Sequence, residues 1–90
     1  MIYIVTYNLS EYDRNYALLD ARLRICGEVL PFQDAACLLS SEMSPREIRE
    51  AVRDVVWGGD SFFIADMTNG RWAGLNTRLS AWVQEQRGET

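Results

Sequence analysis

The residues able to do chemistry in this chain are few, because histidine and lysine are both absent. Without them there is no Ser-His-Asp or Cys-His arrangement, no ordinary zinc site, no Walker lysine and no Schiff base. A reaction would have to rest on Asp, Glu, Tyr, Cys, Arg or a bound metal ion. Asn8 closes the apolar run 1–9, at the carboxyl edge where small α/β domains often place their sites. Asp60 follows Gly58-Gly59, and Glu42 follows Ser40-Ser41. If the strand ends meet, two carboxylates and an amide share one edge. Asn8, Asp60 and Glu42 would then be the catalytic set, with Asp60 and Glu42 as oxygen ligands for Mg2+ or Mn2+. Both acids also fit a plainer role, Asp60 in a Gly-Gly-Asp turn and Glu42 in the loop before a helix, each solvated.

Arg46, Arg49 and Arg53 fall on one side of a helical wheel and could contact phosphates. They are interleaved with Glu47, Glu50 and Asp54, a pattern that also describes a solvated, salt-bridged face. Tyr3, Val5 and Tyr7 on an open sheet face could stack bases. The strand that would carry the matching basic and aromatic signature is Ala36-Cys37-Leu38-Leu39, which has neither. Cys26 and Cys37 fit a reducing compartment and read as small buried hydrophobes. Trp57, Trp72 and Trp82 suit helix-end and interface packing. Gly58-Gly59 is too short to cradle a phosphate.

Ninety residues leave room for one core. All nine basic residues are arginine and the net charge is −4, which disfavours a general nucleic-acid binder while leaving room for a local basic stripe. The apolar start is short, lacks a basic region and runs into charge, so no signal peptide is expected. No run approaches the roughly 20 apolar residues of a membrane span. A cytoplasmic protein is the expectation.

The elements that must position these residues can be read in turn. Residues 1–9 are β-branched and aromatic, and apolar toward both sides, as a central strand is. Ser10 and Asp13 open a helix whose apolar face is Tyr12, Tyr16, Leu19, Leu23 and Cys26, with Gly27 as C-terminal cap. Strands are predicted at 28–32 and 36–40, joined by a turn at Gln33-Asp34. Pro31 marks the first of them as an edge. Ser44-Pro45-Arg46-Glu47 is a capping box with proline at the first helical position. That helix is expected to run to about Trp57. A fourth strand spans 60–67, Asn69-Gly70 makes a turn, and a last helix over 75–86 carries Leu75, Leu79, Trp82 and Val83 on one side. Residues 1–86 form one domain and 87–90 a frayed tail.

The order β-α-β-β-α-β plus a helix predicts an α+β, ferredoxin-like sandwich with an additional C-terminal helix and strand order 4-1-3-2. Both sheet faces are apolar, so the face away from the two helices needs a cover. The expectation is a homodimer with sheets facing, using Tyr3, Val5, Tyr7 and Trp82.

Four stretches bear a resemblance: Tyr3-Ile4-Val5-Thr6-Tyr7-Asn8-Leu9; Tyr16, Leu19, Leu23 and Gly27; Ser44 with Glu47-Ile48-Arg49; and Trp72-Ala73-Gly74-Leu75 followed by Leu79 and Trp82. The chain resembles the SinR-like group of small bacterial proteins, relatives of the virulence-associated D ribonucleases and of the smaller subunit of the CRISPR adaptation integrase. The resemblance implies a ferredoxin-like homodimer. In the metal-dependent nucleases of that group an Asp closes the first strand, and the two copies hold a divalent ion across the dimer axis. The matching residue here is Asn8, whose neutral amide oxygen is a much weaker ligand for Mg2+. The expected function is therefore a non-catalytic or weakly catalytic homodimer, a scaffold or accessory in a nucleic-acid-linked or defence process. The alternatives are a metal-dependent endoribonuclease using Asp60, Glu42 and Asn8, and a small-ligand-sensing dimer.

Overall fold

The computed structural model describes residues 1–9, 16–72 and 77–88. Their elements run β1 (Ile2–Asn8), α1 (Tyr16–Cys26), β2 (Glu28–Gln33), β3 (Ala36–Ser40), α2 (Pro45–Ala51), β4 (Ser61–Asp66) and α3 (Thr77–Gln86). The strands make one four-stranded sheet in the order β2-β3-β1-β4, with every neighbouring pair antiparallel. This small α+β architecture is compatible with the expected sandwich, and the strand order is the expected one. The helix start at Ser10 and Asp13, the contribution of Tyr12, and Leu75 fall outside the described residues.

β1 is central because it can bury both of its faces. Val5 lies opposite Cys37 on β3 and Ile64 on β4. Pro31 sits in β2, an outer strand of the sheet, and the β2–β3 register shifts between Pro31 and Gln33. A residue with no N–H to donate is tolerated at such a place. The hairpin turn falls at Asp34-Ala35, one residue later than expected.

Side chains alternate across the pleat and separate two cores. Tyr3, Val5, Leu19, Leu23, Leu39, Ile48 and Val52 belong to the first core, between the sheet and helices α1 and α2. Ile2, Leu30, Leu38 and Val83 form the second, under α3, with Leu79 and Trp82 packed against them. The dimer surface expected at Tyr3, Val5 and Tyr7 is therefore misplaced. Tyr3 and Val5 are both 0% exposed, and Tyr7 packs against the same core. The alternation is as expected, but the two helices cover the Tyr3, Val5 and Tyr7 side rather than the Ile2 and Ile4 side. Trp82, the fourth residue of that expected surface, is half-buried against the second core instead.

Polar bonds pin the elements at the Met1 end of the sheet. The Tyr3 hydroxyl donates to the Met43 carbonyl at 2.7 Å. Ser41 is buried; its hydroxyl donates to the Cys26 carbonyl at 2.7 Å and accepts from the Met43 N–H at 3.0 Å. α3 is tied back by Trp72, whose indole N–H donates to the Ser80 hydroxyl at 3.0 Å, and by the Arg87 guanidinium 5.4 Å from the centre of the Trp72 ring.

The capping box of α2 is complete. Ser44 Oγ accepts from the Glu47 N–H at 3.2 Å, and Glu47 Oε1 accepts from the Ser44 N–H at 2.9 Å. These bonds hold the Glu47 carboxyl below its usual range. The helix stops at Ala51 rather than running to Trp57. The β-branched run Val52, Val55, Val56 continues in turns, with the Val52 and Val55 N–H groups bonded three residues back. Gly27 is also not a left-handed cap, since Gly88 alone among the described residues has a positive φ. A Cβ on Gly27 would lie 2.0 Å from the Ser40 carbonyl oxygen, so this glycine is required by the close approach of the α1–β2 junction to β3.

Gly27→Ala is expected to cost more than about 2 kcal/mol, because only backbone movement relieves the clash. Gly58→Ala, where a Cβ meets nothing within 4 Å, should stay within about 0.5 kcal/mol of the parent. Urea unfolding of both variants measures the contrast. Ser44→Ala should cost about 1 kcal/mol. Glu47 is a carboxyl lowered in the folded state. Its contribution is full above the ordinary carboxylate range and fades as pH falls through the folded value. The deficit of Glu47→Gln, which removes this carboxylate, should therefore shrink in acid, as read by thermal melts across pH 7 to 3.

Candidate functional site

Antiparallel pairing fixes what surrounds Asn8. Ile2 faces Ser40 and Thr6 faces Ala36, so β3 starts beside the end of β1 and finishes beside its beginning. The Ser41 N–H closes this far end on the Met1 carbonyl at 2.9 Å. Glu42, just beyond, is exposed at the opposite end of the sheet from Asn8. Six residues of strand separate them, roughly 20 Å. The expected grouping of Glu42 with Asn8 is corrected here: it had the end of β3 where the start of β3 lies.

The β2–β3 turn occupies that place instead. The Tyr7 N–H donates to the Ala35 carbonyl at 3.0 Å. An open cleft of about 560 Å3 is lined by Thr6, Asn8, Gln33, Asp34 and Ser61. Asp34 is thus the acid brought to the end of β1, and the sequence reading missed it as a site residue. The signal was present: a hairpin antiparallel to the first strand must put its turn at that strand's end.

Asp60 is one residue from Ser61, the partner of Asn8, yet it serves the other side of the sheet. Its Oδ2 accepts from the Trp57 N–H at 2.7 Å, and its N–H donates to the Trp57 carbonyl at 2.9 Å. It lines a second cleft with Phe62, a residue packed against the helix-side core, whereas Asn8 alternates in phase with Ile2 and Ile4 on the α3 side. Among the described residues no three His, Cys, Asp or Glu side chains gather as metal ligands do. Among the described residues the end of β1 offers a neutral amide beside one exposed carboxylate, which by themselves do not fit Mg2+ or Mn2+, ions that need several hard oxygen ligands. What the β1 end can do is hydrogen-bond, through two amides, two hydroxyls and Asp34.

The second cleft lies between α2 and β4 and encloses about 330 Å3. Arg49 and Arg53 stand on its rim, Val52, Val56 and Phe62 form apolar lining, and Trp57 and Asp60 complete it. Arg46 is exposed on the first turn of α2 and does not line it. Of the acids interleaved with these arginines, Glu47 is used in the capping box. Asp54 accepts two bonds from Arg22 of α1, one of 2.9 Å. Only Glu50 reaches an arginine of the stripe, Arg53, at 3.3 Å.

The remaining nucleophile candidates are muted by burial. The phenols of Tyr3 and Tyr7 are pushed up, chiefly by desolvation and then by neighbouring acids, Asp66 for Tyr3 and Asp20 among those around Tyr7. Tyr16 accepts the Leu9 N–H at 2.9 Å through its hydroxyl, and its ring lies 6.1 Å from that of Tyr7. Both cysteines are free and buried. Burial raises the Cys26 thiol and pushes Cys37 up to about 11, with Asp20 adding to it. At pH 8 only about one Cys37 in a thousand would then be thiolate.

In the native protein at pH 8, neither cysteine should react with a disulfide reagent within minutes, while both should titrate at once in guanidinium. Rapid stoichiometric labelling of Cys37 without denaturant would show that this core opens.

No protein-family model, curated protein or solved structure matches the chain.

Proposed function

We propose that the chain is a ferredoxin-like βαββαβ sandwich with an added C-terminal helix, acting as a non-catalytic homodimeric accessory subunit in a nucleic-acid-linked or defence process. The observation that carries the non-catalytic part is the dispersal of the carboxylates. Among the described residues Asn8 stands with one acid, Asp34, while Asp60 is engaged with Trp57 on the other side of the sheet and Glu42 lies at the far end. In-line attack on a phosphodiester with a metal-activated water needs carboxylates that converge on the ion, and these do not. The sequence resemblance, together with Asn8 in place of the strand-closing Asp, points the same way.

Support for a second copy comes from the α3 side of the sheet. α3 seals Ile2, Leu30 and Leu38, but Phe63, opposite Thr6 in register, is 65% exposed on the outer strand β4. Ile4 and Ala65, the next pair on that face, are only half-buried. A like surface from a partner would cover this row. The interface of this proposal is thus centred on Phe63 rather than on Tyr3, Val5 and Tyr7.

Incubation with RNA and with DNA, each with and without Mg2+ or Mn2+, should give no cleavage above a protein-free control. Cleavage abolished by Asp60→Ala or Asp34→Ala would restore the metal-dependent nuclease in its place. Size-exclusion with light scattering should give twice the chain mass at micromolar concentration, shifting to the chain mass for Phe63→Glu. A parent protein that elutes as a monomer would overturn the dimer.

A further inference from the structure

The α2–β4 cleft combines features that neither the fold nor the proposed dimer requires. Arg49 near the end of α2, and Arg53 and Trp57 in the turns that follow it, all line the same cavity. The Arg49 guanidinium makes no ion pair or side-chain hydrogen bond with any described residue. Two of the interleaved acids make their hydrogen bonds elsewhere, Glu47 in the cap of α2 and Asp54 with Arg22, although Asp54 still lies within the field of Arg53. Arg53 meets Glu50 through one contact at 3.3 Å, with its side chain 78% exposed. An exposed pair of that kind is weakly held and screened, so it yields readily to a better anion. Positive charge is thus left on the rim although the protein as a whole is acidic.

The interior of the cleft has the opposite character. Val52 and Val56 come from the turns after α2, and Phe62 comes from β4. Trp57 is 53% exposed, which leaves its ring accessible to a flat ligand group. An inorganic anion would use the arginines and leave the apolar lining wet. An uncharged hydrophobe would use the lining and leave the arginines without purpose. A ligand with a flat ring joined to a phosphate uses both. Guanidinium forks match phosphate oxygens in geometry and charge, and an indole or phenyl face stacks on a base. The volume, about 330 Å3, is within the range of small-ligand sites. Asp60 sets the polarity. Its carboxylate repels phosphate, so the phosphate belongs at the arginine rim and the ring toward Trp57 and Phe62.

We infer that the cleft between α2 and β4 binds a nucleoside monophosphate unit, with Arg49 and Arg53 on the phosphate and Trp57 against the base. This site is separate from the end of β1 and stands whether or not the chain dimerises or cleaves nucleic acid.

Calorimetric titration of the full chain with AMP, adenosine, inorganic phosphate and a short single-stranded oligo(A) tests it. AMP should bind at least about tenfold more tightly than adenosine or phosphate alone. An oligo(A) that binds more tightly than AMP identifies the source of the unit as a nucleic-acid strand; equal or weaker binding identifies a free nucleotide. Arg49→Ala and Trp57→Leu should each weaken AMP by about tenfold or more, with melting temperatures near that of the parent because both side chains are exposed. Arg46→Ala, on the same helix but outside the cleft, should leave binding unchanged. The assignment is overturned if neither AMP nor oligo(A) binds at about 1 mM. It is equally overturned if Arg46→Ala weakens binding as much as Arg49→Ala, since the effect would then be one of net charge.

Discussion

Antiparallel pairing along both edges of β1 decides which side chains in this protein can ever meet. β3 and β4 both run against it, so each brings its first residues to Asn8 and its last to Met1. Two polar ends result, about 20 Å apart, and they share no residues. At the Asn8 end lie Ser61 and the Asp34 turn; at the Met1 end lie Ser41, Met43 and Thr68. The Thr68 hydroxyl accepts the Ile2 N–H at 2.8 Å and donates to Asp66 at 2.6 Å. The Met1 end is closed by such bonds, most of them part-buried and the one from Ser41 to Cys26 buried. The Asn8 end is left as an open cleft. A stabilised end and an available end are thus consequences of one register.

The same strand also divides the hydrophobic material. Its odd-numbered residues Tyr3 and Val5 go under two helices, and its even-numbered residues Ile2 and Ile4 under one. α3 is a single ten-residue helix, about 15 Å long, laid on a four-stranded face. It covers the half that holds Leu30 and Leu38 and leaves Phe63 to water. The described cysteines and the phenols of Tyr3 and Tyr7 all lie on the helix side, where burial raises the pKa of each.

Much of the fold was legible because it is set by local signals. The capping box at Ser44 and Glu47, the proline at Pro45, the edge strand marked by Pro31 and the continuous apolar run of β3 each carry their own physical cause. What failed was non-local. Which face of β1 the helices cover depends on the hand of the whole chain path, and Tyr3-Val5 and Ile2-Ile4 are equally apolar, so composition could not decide it. The pairing of Glu42 with Asn8 failed for a simpler reason: strand direction, not strand adjacency, sets which ends coincide. Applied to β2 and β3, that rule would have nominated Asp34. The end of α2 was misjudged because Gly58-Gly59 is a strong stop, whereas the β-branched run before it already loosens the helix.

The arginine stripe shows how far a charge pattern depends on what the other elements do with it. On the sequence, Arg46, Arg49 and Arg53 alternate with three acids and look self-neutralised. In the folded chain only Glu50 pairs directly with the stripe, while Asp54 acts on Arg53 through its field alone. Glu47 is drawn to the Ser44 N–H because an uncapped helix terminus would leave backbone donors without partners. Asp54 is drawn to Arg22 because α1 packs beside α2 and presents a guanidinium with its two terminal nitrogens turned toward the carboxylate. Both of those contacts serve the architecture, one the start of α2 and the other its seating on α1. Their combined effect is electrostatic: they engage two of the acids elsewhere, and the positive charge that remains is on the rim of the cleft beside Trp57.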